Sequence, residues 1–101
     1  MTEIGEKHDG GKPNPLLLER DLVHALALVN EVLDHGAKKY APRNWQHVPN
    51  ALERYDAAAR RHRRARDMGE THDPESGLPH IAHEITSLLF ILEICTTGNS
   101  V

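Results

Sequence analysis

Eight histidines stand at positions 8, 24, 35, 47, 62, 72, 80 and 83. Three carry the strongest chemical signal. His80 and His83 are followed by Glu84 and Ser87, and at 100° per residue these four share about 100° of a helix surface. The segment before them supplies Glu70, Asp73 and Glu75, and His62 lies on the inward line of the preceding helix. Helices joined by a short connection pack as antiparallel neighbours, which brings His62 to this group. A mixed set of imidazoles and carboxylates is a divalent-cation site by ligand type. Oxygen ligands suit Mg²⁺, whereas imidazole brings Mn²⁺, Fe²⁺ or Zn²⁺ into play. The acid follows the second histidine, so this is not the zinc-protease HExxH pattern. A single helical histidine is usually a surface or hydrogen-bonded core residue; the convergence on one connection carries the reading. His8, His24, His35, His47 and His72 are read as surface or unassigned.

A second group is cationic. Arg60, Arg61, Arg63, Arg64 and Arg66 spread over a broad helix face, and Arg61, next to the inward His62, is best placed to reach a site. A guanidinium fork suits phosphate because it makes bidentate bonds. Lys12 in GGKP and Lys39 in KKY offer further phosphate contacts, while Trp45 and Asn44 offer a stacking face and an edge-reading amide for a base. GGK lacks the rest of a P-loop.

The elements that must position these groups are helical. Residues 1–15 are polar and punctuated by Gly and Pro, an extended arm. Leu22, Leu26, Val29, Leu33, Ala37 and Tyr40 form one stripe of a helix from Leu16 to about Tyr40, which Gly36 bends, ends or opens to a close neighbour. A second helix runs from Asn50, a candidate N-cap, to Met68, with Leu52, Tyr55, Ala58 or Ala59, Ala65 and Met68 inward. After an acidic loop, a third starts at Pro79 and buries Ile81, Ile85, Leu88, Leu92 and Cys95, with the His80–Ser87 stripe beside that face. No segment alternates with period two. The expected class is all-α, a small bundle over 16–96 with a tail at 97–101. The third helix is apolar over more than one face, which predicts a partner subunit in a dimer or tetramer.

Composition narrows the function. Of 101 residues, 39% are hydrophobic and four are aromatic, so the core is thin. No apolar run approaches a bilayer span and no signal-peptide core follows Met1, which argues against membrane and secretory classes. The single Cys95 fits a reducing cytoplasm. A net charge of −3 argues against a general nucleic-acid coat.

In chain order, D-x-G-K-P (Asp9–Pro13), GAKKY (Gly36–Tyr40), RNW (Arg43–Trp45), RY..A..RH (Arg54–His62) and GE..DPESGLPHIAH (Gly69–His83) form a set, closed by LLF of the third helix. This set resembles the small, mostly phage-encoded dATP/dGTP diphosphohydrolase family. The family is related to the MazG-like all-α nucleoside triphosphate pyrophosphohydrolases and includes MazZ-type members. The resemblance spans about residues 9–93. It implies cleavage of a deoxynucleoside triphosphate between the α and β phosphates, with Mg²⁺ or Mn²⁺ bridging the phosphates and activating water. It also implies a guanine preference in MazZ-type members and nucleotide-pool control during phage infection. MazG relatives carry E-E-x-x-E and E-x-x-D, where this chain has Arg61-His62 and His80-x-x-His83. Glu31 and Asp34 imitate the first motif at the wrong spacing and stay in reserve.

The expected assignment therefore places His62, Asp73, His80 and His83 on the metal. Glu70 and Glu75 are the candidate catalytic carboxylates, one of them orienting water. Lys12, Lys39 and Arg61 meet phosphates, and Asn44 and Trp45 meet the base. Three alternatives stay open. One is a nucleic-acid module using Arg60–Arg66, with steep salt dependence. Another is a zinc-stapled structural protein. The third is an HD-type triphosphohydrolase, although its adjacent His-Asp pair belongs on a helix and His72-Asp73 lies in a loop.

Overall fold

The computed structural model describes residues 10–98. Asp9 and His8 of the arm lie outside them. Four α-helices follow one another: α1 (Pro15–Asp21), α2 (Val23–Lys39), α3 (Ala51–Asp67) and α4 (His80–Thr97), with a 3₁₀ turn at Asn44–His47. The all-α class holds: among the described residues the only β-type pairing is an isolated bridge between His72 and Pro79. No helix among them is long and apolar enough to cross a membrane.

The expected first helix is two. Asn14 caps α1, its side chain accepting the Leu16 N–H at 3.0 Å, and Pro15 takes the first turn, where a missing N–H costs nothing. Leu22 then leaves helical geometry at φ −119° and ψ 33°, and α2 begins. Gly36 does not end α2, and a Cβ there would meet nothing within 4 Å, so no close neighbour requires the glycine. Of the predicted stripe, Leu22 is 49% and Tyr40 63% exposed; the buried residue of α2 is Val32. Asn50 precedes α3 but makes no side-chain cap, because its own backbone is left-handed at φ 55°.

Helices α3 and α4 are the framework. Tyr55 meets Phe90 at one end and His62 meets His80 and His83 at the other, so the two run antiparallel, as expected. Their seam is small and polar. Ala51, Ala59, Ala82 and Ile94 are buried together with His80, Thr86 and Ser87. Thr86 returns its hydroxyl to the Ala82 carbonyl at 2.8 Å, which satisfies it without a partner helix.

This overturns the expected orientation of α4. Ile81, Ile85, Leu88, Leu92 and Cys95 are exposed, and it is the His80–Ser87 stripe that packs against α3. Met68, placed on the inward line of α3, is 80% exposed. Small side chains let two helices approach closely, and the large aliphatics are left outside. Arg66 locks the pair from α3, reaching Glu84 at 2.8 Å through Nη2 and 3.3 Å through Nε, and Arg63 adds a contact at 3.9 Å.

Candidate functional site

The loop between α3 and α4 closes on itself before it reaches α4. Glu70 N–H donates to Ala65 O at the end of α3, and His80 N–H donates to Thr71 O. Within the loop, Asp73 N–H donates to Leu78 O at 2.8 Å and Gly77 N–H to Asp73 O at 2.7 Å. Gly77 has φ 75°, a conformation that glycine adopts without a Cβ penalty. Asp73 Oδ1 then accepts the Glu75 N–H at 2.8 Å, an Asx turn that leaves Oδ2 directed at His83 Nε2, 3.8 Å away. Ser76 is tied in the same way: its Oγ accepts the Leu78 N–H at 3.1 Å and shares a hydrogen with His83 Nε2 at 2.7 Å.

Three elements therefore converge. His62 comes from α3, His80 and His83 from the first turn of α4, and Asp73 from the loop. His62 and His83 stack with ring centres 4.6 Å apart and planes within 11°. Nδ1 of His62 and Nδ1 of His80 are 2.9 Å apart, and His80 Nε2 meets Glu70 Oε1 at 2.7 Å. One donor atom from each of His62, Asp73 and His80 lies within 4.8 Å of the others.

The protonation states suit a cation. Burial pushes the imidazoles of His62 and His83 below their usual value, and for His62 the neighbouring His83 and His80 push the same way. Burial acts to raise Asp73, but the Glu75 N–H and the imidazoles of His83, His62 and His80 outweigh it and hold the carboxyl below its usual value. Neutral imidazoles beside an ionised carboxylate are the forms that ligate metals.

Glu75 points elsewhere. Its carboxylate is hydrogen-bonded by Lys39 Nζ and lies 3.7 Å from His35 Nε2, so two residues of α2 hold the loop from the side. That bond holds Glu75 below its usual carboxylate value and raises Lys39. His35, read as surface or unassigned, joins the group, its ring edge-on to His83 with centres 6.4 Å apart. The available signal was its spacing: His35 and Lys39 are one turn apart on one face of α2. Ser76 and the Arg66–Glu84 pair were also missed, and a loop serine carries no periodic signal.

The remaining expected residues are dispersed. Lys12 is exposed ahead of α1, Asn44 opens the 3₁₀ turn, and Arg61 lines a shallow depression on the outer side of α3 with Arg60, Arg63 and Arg64. Trp45 stacks on Phe90 of α4, with centres 4.8 Å apart and planes within 9°, and its carbonyl accepts the Tyr55 hydroxyl at 2.8 Å. Beside it, Val29, Leu33, Leu89 and Leu92 line a hollow of about 320 Å³. Of the reserve residues, Asp34 pairs with Lys38 at 3.2 Å and Glu31 is exposed.

The loop and helix starts that build this cluster are the GE..DPESGLPHIAH segment. The profile of the dATP/dGTP diphosphohydrolase N-terminal family matches residues 2–101. The chain belongs to this family. A curated relative, the dATP/dGTP diphosphohydrolase of Salmonella phage PMBT28, is 36% identical over 87 residues, covering 86% of the chain. The chain spans 28% of that relative's length. No solved structure matches it. Within the dATP/dGTP diphosphohydrolase N-terminal family, this chain offers imidazoles and one carboxylate at the α3–α4 seam, with Glu70 and Glu75 each engaged by a neighbouring side chain.

Proposed function

We propose that the chain is a divalent-metal-dependent deoxynucleoside triphosphate diphosphohydrolase, giving the monophosphate and pyrophosphate, with dGTP favoured. The observation that carries it is the meeting of His62, Asp73 and His80 donor atoms within 4.8 Å in a chain of this family. His62 and His80, with Nδ1 atoms 2.9 Å apart, and Asp73 would hold such an ion. Two imidazoles favour Mn²⁺ over Mg²⁺. What a bound divalent cation supplies is charge neutralisation on the phosphates and a more acidic water.

The chain's own residues supply the rest. His83, shared with Ser76 and facing Asp73, stands beside these ligands as a fourth donor. The hollow beside Trp45 takes the base; Phe90 lies seven residues along α4 from His83, about 10 Å by helical rise. Asn44 reads the base edge and exposed Lys12 draws in phosphates, whereas Lys39 is held by Glu75 and Arg61 lies on the outer side of α3. A nucleic-acid role for the arginine run is disfavoured, since Arg60 is paired with Asp56, Arg63 with Asp67 and Arg66 with Glu84.

The test is incubation with each deoxynucleoside triphosphate and Mn²⁺ or Mg²⁺, with identification of products. Monophosphate with pyrophosphate, fastest from dGTP, is expected. Nucleoside with triphosphate would point to HD-type chemistry. Loss of melting temperature on chelation without any turnover would point to a structural zinc site.

The chain acts as a homo-oligomer in the cytoplasm of an infected host, with a second copy covering the outer face of α4. Ile81, Ile85 and Leu88 form an exposed aliphatic stripe on that helix, clear of the hollow beside Trp45. A patch of this kind marks an interface. Leu88→Lys should reduce the mass measured by light scattering; an unchanged mass sinks the assembly.

A further inference from the structure

We propose that Glu70 is a positioning residue: it holds His80 in the tautomer that leaves Nδ1 as the ring's donor atom, beside His62 and Asp73. The inference rests on the cation site proposed above. Glu70 is anchored at the end of α3 by its N–H to Ala65 O, and its side chain crosses the loop to His80 Nε2 at 2.7 Å. An ionised carboxylate only accepts, so the hydrogen in this contact belongs to Nε2. In a neutral ring the lone pair then sits on Nδ1, which faces His62 Nδ1 at 2.9 Å. The His80 side chain is 6% exposed, so water does not compete for the ring, whereas that of Glu70 is 54% exposed.

Glu70 and Asp73 thus divide their work. Asp73 fixes one oxygen on the Glu75 N–H and contributes to the donor group. Glu70 stays outside that group, with Oε1 engaged by His80. A carboxylate behind a ligating imidazole fixes its orientation and raises its basicity, and loss of such a partner costs 10–100-fold in metal affinity. By this reading Glu70 touches neither substrate nor reacting atoms, which removes it from the candidate bases.

Glu70→Ala and Glu70→Gln test this with two readouts. Long-range ¹H–¹⁵N correlation of histidine-labelled, metal-free protein reports the His80 tautomer, and an electron-paramagnetic-resonance titration reports Mn²⁺ affinity. The Nε2–H form is expected in the parent protein. Glu70→Ala should lose that preference and weaken Mn²⁺ binding about 10–100-fold. Glu70→Gln keeps an acceptor oxygen and should lie closer to the parent on both. An unchanged tautomer in Glu70→Ala would overturn the proposal; if Mn²⁺ binding weakened all the same, Glu70 would be a ligand. A parent protein that takes up no Mn²⁺, while Glu70→Ala still shifts the tautomer, would remove the cation site and leave the hold on His80 standing.

Discussion

His62 of α3 and His80 of α4 meet nitrogen to nitrogen, Nδ1 to Nδ1, at 2.9 Å across the seam of the two helices. One hydrogen lies between them in the metal-free chain. The contact registers α3 against α4 and also brings together two of the nitrogens proposed above to hold an ion.

Replacing His80 should therefore act twice. His80→Ala should abolish Mn²⁺ uptake and metal-dependent turnover. It also removes a buried ring with bonds to Glu70 and His62, at about 1–3 kcal/mol of stability by urea titration. His83→Gln keeps a hydrogen-bonding side chain opposite Ser76. It should lower turnover by tenfold or more with less than about 1 kcal/mol lost. Full activity in both variants sinks the metal assignment.

Stability should depend on pH through the same rings. His62 and His83 lie below the usual 6.5 because of burial, so the unfolded chain binds protons there that the folded chain does not. Their contribution is whole above 6.5 and is lost as pH falls from there towards the folded values. The melting temperature of metal-free protein should drop between about pH 7.5 and 5.5. Asp73, held below its usual 3.8, adds a further loss only at lower pH. A His62→Gln/His83→Gln variant should show a flatter profile; an equally steep one contradicts this account.

The Arg66–Glu84 clamp should be worth more than a surface pair. The side chains are 30% and 14% exposed, and Arg66 reaches one oxygen through two nitrogens. Glu84→Gln should cost about 1–3 kcal/mol. A double-mutant cycle with Arg66→Ala should return a coupling above the ~0.5 kcal/mol typical of exposed helix pairs.

Trp45 is the single tryptophan, so its fluorescence reports its own packing. Phe90→Ala removes the ring stacked on it and should shift emission to the red. The expected loss is about 2–4 kcal/mol, less than for a fully buried phenylalanine. In the parent protein, dGTP binding in the hollow beside Trp45 should quench emission. No change on saturation would remove the base from that hollow.

Much of this was legible before any coordinates. Period 3.6 marks the helical spans, Pro and Gly mark the loops, and the residue types at 62, 73, 80 and 83 single out side chains that the fold brings together. The family motif pointed to the same segment, and the N-terminal family profile bears out the membership. The break at Leu22 was not legible, since leucine is a good helix former and its geometry there follows from how α1 packs on α2.

What the sequence by itself determined is the all-helical class, the spans of α3 and α4 and the residue types that can do chemistry. Only the tertiary structure decided which way they face. Helix α4 is apolar on more than one side, so its periodicity names a stripe without saying whether that stripe turns inward. Close packing against Ala51 and Ala59 of α3 admits the small, polar side and excludes the leucines. The partner of Glu75 was equally out of reach. Lys39 and Glu75 are 36 positions apart, and a contact that distant follows from how α2 lies against the loop, not from local pattern.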